Sequence, residues 1–360
     1  MKAQASLIDF VLKEWLVIAS GIGLVLTCVY IKRLPAYSAN EMQVLFLLFV
    51  LFVTVNGLLQ NGAISKVAQS IEKGNLIPLK LVVITFFLSM LVTNDISLIV
   101  IVPLTLSLNI NRKGVLVILE ALAANAGSAL TPVGNPQNLF IYWFYHVTPS
   151  AFIKTIAPFS LMLLVLIIIA SLFIRTQRVL QENHVKDVNK KAYIYGVLLA
   201  IVLLAVLHVL PILSALVVIL FALFFDRKAL NVDYALLFSF LFFFGIADNL
   251  KVILPSEVTH SGHVFLFSVL ASQVMSNVPA TLLFANFTPK WQALLWGVNT
   301  GGFGSLFGSL ANLIAYKIYV KNKDTNDTAR FTVTFLAMGY IALFVSIGLY
   351  FLLYGTDVPL

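Results

Sequence analysis

The sequence predicts an all-α polytopic membrane protein built from two inverted repeats, each with a re-entrant hairpin and a broken transmembrane helix. Three observations carry that reading. Of the 360 residues, 60% are hydrophobic and 11% charged, with a mean hydropathy of +0.99, and apolar runs of membrane length recur along the chain, as in few soluble proteins. A polar motif, NAGSALTPVGNPQN from Asn125 to Asn138, interrupts one apolar stretch at 114–145. The motif returns as NTGGFGSLFGSLAN from Asn299 to Asn312, inside a second apolar stretch at 291–319.

Gly127, Pro132, Gly134 and Pro136 cannot all sit in one unbroken α-helix. Inside a bilayer the backbone groups freed by a break must be satisfied by the protein or in a wet cavity, and transporters place binding sites at such breaks. Aligned without gaps, Asn125 meets Asn299, Gly127 meets Gly301, Thr131 meets Ser305, Gly134 meets Gly308, Asn135 meets Ser309 and Asn138 meets Asn312. A polar tip precedes each copy: Thr93-Asn94-Asp95 in the first and Ser276-Asn277-Val278 in the second. Each tip lies between two apolar runs too short to span alone, which reads as a hairpin at 81–110 and another at 264–287.

In chain order, residues 1–31 hold a short mixed segment and a first transmembrane helix from Trp15. A signal peptide is disfavoured because no small-x-small cleavage site follows the apolar run. Repeat one occupies 32–176: a span at 42–60, a partly amphipathic arm at 62–80 lying at the interface, the first hairpin, the first broken helix and a full span at 153–174. The charged stretch at 177–191 is a cytoplasmic linker. Repeat two occupies 192–354: spans at 192–210 and 212–225 on either side of Pro211, a span at 234–249, the second hairpin, the second broken helix and a final span at 331–354. Residues 355–360 are a tail.

With the N-terminus inside, eighteen of the 23 Lys and Arg fall inside, leaving Lys32, Arg33, Lys154, Lys251 and Lys290 outside. That bias is the positive-inside rule, and it explains the net charge of +8 without nucleic acid. It also makes hairpin one open inward and hairpin two outward, so the repeats are inverted and meet near the midplane. The expected location is a cytoplasmic (bacterial inner) membrane.

The residues at the breaks have a chemical logic. Asn135-Pro136 fits an N-cap followed by proline at the first helical position, and Ser309 can cap its own half-helix. Asn94 or Asp95, and Ser276 or Asn277, can cap the second arms of the hairpins. Four half-helix N-termini then converge, and their free N–H groups suit an anion. Carbonyls of the ending half-helices, with Asn, Ser, Thr and Asp oxygens, suit a cation such as Na⁺. Neither hairpin nor break contains Lys or Arg. A carboxylate near the midplane is costly, which favours a coupling-ion role for Asp95 over a pure cap. Glu120, five residues before Asn125, is a candidate proton site or a quiet bundle partner. Asp248 and Asn249 read as interfacial and solvated, and Tyr142, Trp143, Tyr145 and Trp291 as belt aromatics.

Paired re-entrant hairpins with Ser/Thr-Asn tips, each followed by an unwound helix such as TPVGNPQN, resemble the ion transporter superfamily, over nearly the whole chain. That superfamily includes the divalent anion:sodium symporters, citrate-transporter-like permeases, arsenite permeases and one group of Na⁺/H⁺ antiporters, and the pattern is most similar to the citrate-transporter-like and arsenite-permease branch. The resemblance implies a homodimer with a scaffold and an elevator-type transport domain. In the dicarboxylate symporters both tips read Ser-Asn-Thr and contact sodium and substrate carboxylate. Thr93, Asn94, Ser276 and Asn277 match the first two positions; the third is Asp95 in one tip and Val278 in the other.

The expected substrate site is therefore Thr93, Asn94, Ser276, Asn277, Thr281, Asn138 and Asn312. The expected cation sites comprise Asp95, Ser97, Asn125, Gly127, Thr131, Gly134 and Asn135 in one half, with Asn299, Gly301, Ser305, Gly308 and Ser309 in the other. The function implied is secondary active transport of a small anion, a carboxylate or an inorganic oxyanion, coupled to Na⁺ or H⁺. The alternative is a Na⁺/H⁺ antiporter or an arsenite-type efflux permease. No cofactor is expected, and the partners are the solute and the lipid bilayer. One cysteine, Cys28, excludes an intrachain disulfide and a multi-thiol site. No Ser-His-Asp grouping, HExxH or paired aspartates on apolar helices point to an enzyme, and the five histidines show no metal-ligand spacing.

The inverted topology is testable in a Cys28→Ser background. Cysteine at Ser70, Asn183 or Asn322 should be shielded from impermeant thiol reagents outside the cell, and cysteine at Ser38, Ser256 or Ser261 should label. Two or more sites reacting on the wrong side refute the arrangement.

Overall fold

The structure is a computed structural model that describes residues 14–64, 66, 76–174, 189–253, 260–322 and 327–355. The expectations for the extreme N-terminus, most of the interfacial arm and of the linker, and the tail after Gly355 lie outside the described residues. Among those residues the regular structure is helical.

Helix α1 is Trp15–Ile31 and α2 is Ala39–Gln60. Ser38 and Glu41 start α2 with a reciprocal capping box, satisfying two donors that a helix start leaves open. Hairpin one consists of α3, Ile77–Val92, and α4, Asn94–Ser107, with Thr93 alone between them. The first broken helix is α5, Lys113–Ala129, and α6, Pro136–Phe144. Helix α7, Pro149–Ser171, closes this half. Next come α8, Lys190–Val206, a short 3-10 turn after Pro211, α9, Leu216–Phe225, and α10, Tyr234–Ile253. Hairpin two is α11, Ser261–Met275, and α12, Asn277–Ala285, joined by Ser276. The second broken helix is α13, Trp291–Gly301, and α14, Leu310–Val320, followed by α15, Thr328–Tyr354.

By length and composition, four helices can cross a membrane: α2, α7, the stretch Arg227–Ile253 that contains α10, and α15. Outward faces are apolar, with Val25 and Val29 on α1 and Val333, Ile341 and Phe344 on α15 exposed, as lipid-facing surfaces require. The chain is an integral membrane protein.

The packing order places the site. The first arm of each hairpin lies along the first half of its own broken helix, α3 on α5 and α11 on α13. The second arms cross over: α4 packs on α14, and α12 on α6. Helices α1 with α10, and α2 with α8, pack as separate pairs beside this core. The lengthwise contact depends on Gly127 and Gly301. A Cβ on Gly127 would lie 2.1 Å from the Phe86 carbonyl oxygen, and one on Gly301 would lie 2.5 Å from Ser272 Cβ.

Two expectations about surface residues are corrected here. Tyr142 and Trp143 are buried, because the nine-residue α6 is enclosed by α2, α12 and α13. Trp143 Nε1 donates to Val206 O at 3.2 Å, and its ring stacks on His208. Asn249 is also buried, not solvated. It faces α1, where Nδ2 donates to Thr27 Oγ1 at 3.1 Å. Asp248 beside it is partly exposed and pairs with Arg33 and the Ala36 N–H.

Gly127→Ala should lower the unfolding midpoint of the purified protein, because overpacking a tight contact costs about 1–3 kcal/mol. Gly196→Ala is the matched control, since a Cβ there meets nothing within 4 Å, and it should leave stability unchanged or raise it. Equal stability of the two variants would refute the close-approach account.

Candidate functional site

Each hairpin turns on one residue with almost the same backbone geometry. Thr93 has φ 76°, ψ 153°, and Ser276 has φ 76°, ψ 157°. Positive φ is rare for residues with a Cβ, and β-branched ones most of all, so something must hold the tips there. The holding bonds come from the breaks. Asn94 N–H donates to Gly134 O at 3.2 Å, and Asn277 N–H donates to Gly308 O at 3.0 Å. Thr131 Oγ1 donates to Met90 O at 2.7 Å, and Ser305 Oγ to Gln273 O at 3.0 Å. At the tips themselves neither Thr93 nor Ser276 caps its helix with its side chain, but Asn94 Oδ1 accepts the Asp95 N–H at 3.0 Å in the first turn of α4.

The breaks are held by their own polar residues. Asn135 Oδ1 accepts from Asn138 N–H at 3.0 Å, and Ser309 Oγ from Ala311 N–H at 3.3 Å, so both second halves carry N-caps. Asn138 Nδ2 donates to the carbonyls of Ser128 and Ala129 at 3.2 and 3.0 Å. Asn312 Nδ2 donates to those of Gly302 and Ser305 at 2.9 and 3.1 Å. The two breaks then exchange bonds. Asn125 Nδ2 donates to Asn312 Oδ1, and Asn299 Nδ2 to Asn138 Oδ1, both at 2.8 Å. Ser309 Oγ donates to Asn125 Oδ1 at 3.0 Å, and Asn135 Nδ2 to Asn299 Oδ1 at 3.4 Å. All six side chains are buried.

In front of this layer lies a cavity of about 90 Å³, room for roughly three waters or one small solute. The first residues of four half-helices line it: Asn94 and Asp95 of α4, Pro136 and Gln137 of α6, Asn277 and Val278 of α12, and Leu310 of α14. The caps Ser276 and Ser309 join them, and Glu14, Asp233, Leu236 and Ser239 close the far side. Helix N-termini bring positive dipole ends, while the N–H groups of Asn94, Asp95 and Asn277 are already bonded to Gly134 O, Asn94 Oδ1 and Gly308 O, and Pro136 has none. Against them stand three carboxylates, Glu14, Asp95 and Asp233, with no Lys or Arg among the described residues of the lining. Asp95 Oδ1 is buried and has no hydrogen-bond partner among the described residues.

The structure thus brings Asn94, Asp95, Ser276, Asn277 and Ser309 to one cavity, with Thr93 at the turn beside them. Asn125, Asn135, Asn138, Asn299 and Asn312 form the hydrogen-bonded layer behind. Gly127, Thr131, Gly134, Gly301, Ser305 and Gly308 fasten breaks to hairpins. Ser97 and Thr281 are bonded within their own helices, Ser97 Oγ to Asn94 O at 2.8 Å and Thr281 Oγ1 to Asn277 O at 2.7 Å. Glu120 is fully buried away from the cavity; Thr105 Oγ1 donates to its Oε1, and Oε2 has no partner among the described residues. Sequence reasoning missed Glu14, Gln137, Asp233 and Ser239. Gln137 stood inside the quoted motif, but the others sit at helix ends far from it in the chain, where nothing marks them. Among the described residues no group of His, Cys, Asp and Glu is spaced to hold a metal ion.

The family described as Citrate transporter matches residues 10–298 of this sequence. The chain belongs to that family. This member of the citrate transporter family is 35% identical over 313 residues to an uncharacterized transporter of Methanocaldococcus jannaschii, covering 84% of this chain and 87% of that protein. It is 38% identical over 250 residues to the inner membrane protein YbiR of Escherichia coli, covering 64% and 66%. The silicon efflux transporter LSI3 of Oryza sativa subsp. japonica is 33% identical over 148 residues, 38% of this chain and 30% of that protein. The family and these transporter relatives agree with the ion transporter superfamily resemblance, and they make the chain a membrane solute transporter.

The exchanged bonds should be visible as energetic coupling. Double-mutant cycles for Asn125–Asn312 and Asn299–Asn138, with alanine at each position, should each return a coupling of about 0.5–1.5 kcal/mol in denaturation of the detergent-solubilised protein. The pair Asn138–Asn312, whose side chains are not bonded to each other, should couple less. Equal couplings in all three cycles would contradict the reciprocal pairing.

Proposed function

We propose that this protein is a secondary active transporter that carries a small anion, a carboxylate or an inorganic oxyanion, across the cytoplasmic membrane in symport with Na⁺ or H⁺. The observation that carries the reading is the convergence of four half-helix N-termini on one cavity that Asp95 also lines. Positive dipole ends and hydroxyls at those termini hold the anion. Among the described residues the lining has no basic side chain, so a cation or proton at Asp95 balances the charge of the anion bound there. Obligatory balance of this kind is coupling: a cation that raises solute affinity is itself bound more tightly by the same factor when solute is present.

The two halves act as inverted repeats, hairpin one opening to the inside and hairpin two to the outside, with the N-terminus inside. Hairpins and broken helices move as a transport domain against a scaffold in a homodimer, exposing the cavity to each side in turn. Glu120 serves as a second protonatable group in this moving unit. A second reading is an efflux permease or a Na⁺/H⁺ antiporter. Three carboxylates around the cavity favour it, because they disfavour a multiply charged anion, and the similarity to a silicon efflux transporter points in the same direction.

The deciding measurement is a thermal-shift panel on purified protein: carboxylates, inorganic oxyanions and uncharged oxyacids, each in NaCl and in choline chloride and at two pH values. A bound solute raises the unfolding midpoint in proportion to its occupancy. The symport reading expects an anion whose shift needs Na⁺ or low pH, and that dependence should vanish in Asp95→Asn, which keeps the size and removes the charge. An uncharged oxyacid that alone gives a shift selects the efflux reading. Wild-type cation dependence in Asp95→Asn overturns the role of Asp95.

A further inference from the structure

The two halves share their backbone plan but differ at two side chains that face the breaks. Counting back from the tips, Met90 on α3 corresponds to Gln273 on α11, and in both halves the carbonyl of that residue accepts the hydroxyl of Thr131 or Ser305. The Met90 thioether offers no donor. The Gln273 side chain makes three bonds to the unwound segment of break two: Nε2 donates to Gly301 O at 2.7 Å and Phe303 O at 3.0 Å, and Oε1 accepts Ser305 N–H at 2.8 Å. Gly304 makes room, with φ +85° and a Cβ position only 2.5 Å from Gln273 Oε1. Its counterpart Leu130 stays in the right-handed helical region.

A side-chain NH₂ aimed at converging backbone carbonyls does the electrostatic work of a small cation, without the charge. The second difference points the same way. The third tip residue is Asp95 in hairpin one, with a buried and unpartnered Oδ1, and Val278 in hairpin two, which has no oxygen to offer. Unpaired anionic oxygen is found at tip one, and permanently paired carbonyls at break two.

Building on the coupled-transport reading above, we infer that this transporter binds a single Na⁺ per chain, at tip one beside Asp95, and that the Gln273 amide takes the place of a second ion in the other half. Symmetric repeats suggest two cation sites, one for each tip; the second half does not fit one, because Val278 brings no oxygen and the Gln273 NH₂ already stands against the Gly301 and Phe303 carbonyls. The asymmetry also assigns different work to the halves. Half one gains its final hold between hairpin and break when the cation binds. Half two is held by the chain itself, whether or not ions are present.

The test counts ions. Equilibrium binding of radioactive sodium to the purified full-length protein should give one Na⁺ per chain, and none in Asp95→Asn. Gln273→Met, which copies position 90, removes the donor from Gly301 and Phe303. It should unfold at a lower temperature than wild type in choline chloride, and NaCl should recover more of its stability than it adds to wild type. Two ions per wild-type chain overturn the inference whatever the variants do, and leave coupled transport intact. One ion that survives Asp95→Asn also overturns it, as does a Gln273→Met variant with wild-type stability in both salts. No bound sodium in wild type overturns it too, and moves the coupling role to the proton.

Discussion

A backbone carbonyl or amide released from a helix inside hydrocarbon must find a partner, at a cost of several kcal/mol if it does not. Two helices here break inside apolar stretches, and the rest of the core is arranged around repairing them. Asn138 and Asn312 each close their own break by donating to two of its carbonyls. Having used their NH₂ groups this way, they present Oδ1 to the opposite break, where Asn125 and Asn299 supply the donors. Each break is therefore finished by the other.

That exchange makes the halves interdependent. The tips of the hairpins are fixed by carbonyls of Gly134 and Gly308, which exist as free acceptors because the helices end there. The second arms then cross to pack against the opposite broken helix. A shift of either hairpin changes the position of its tip, its own break and the far half-helix together. The cavity belongs to that assembly, since both tips and both second half-helices line it.

Electrostatics at the cavity oppose each other by design of position. Four helix starts supply positive potential with no Lys or Arg among the described lining residues, while Glu14, Asp95 and Asp233 supply negative charge. Dipole ends are fixed and cannot be titrated away; carboxylates can be neutralised by a proton or an ion. The balance of the site is therefore adjustable from one side only. The difference between Asp95 and Val278 makes the two tips unequal: the first carries a group that a proton or an ion can neutralise, and the second does not.

Much of the fold was legible because breakers and periodic apolar runs act locally. Pro136 after Asn135 marks a helix start wherever it occurs, and the single-residue tips at Thr93 and Ser276 fall where polar pairs interrupt apolar runs. The repeated spacing of Asn125, Gly134 and Asn138 in Asn299, Gly308 and Asn312 named most of the polar core in advance. What the sequence left open involves distance through space. Nothing near Asp233 or Glu14 indicates that they border the same cavity as Asn94, nothing near Trp143 indicates that α6 is enclosed, and Asn249 looks solvated until α1 is laid against it. The sequence by itself determined where the chain must break and which residues can mend it, because those are properties of φ, ψ and hydrogen-bonding groups within a few residues. Only the tertiary structure decided which break mends which, and which carbonyls Gln273 takes, because a free donor chooses its partner by proximity, and proximity is set by packing.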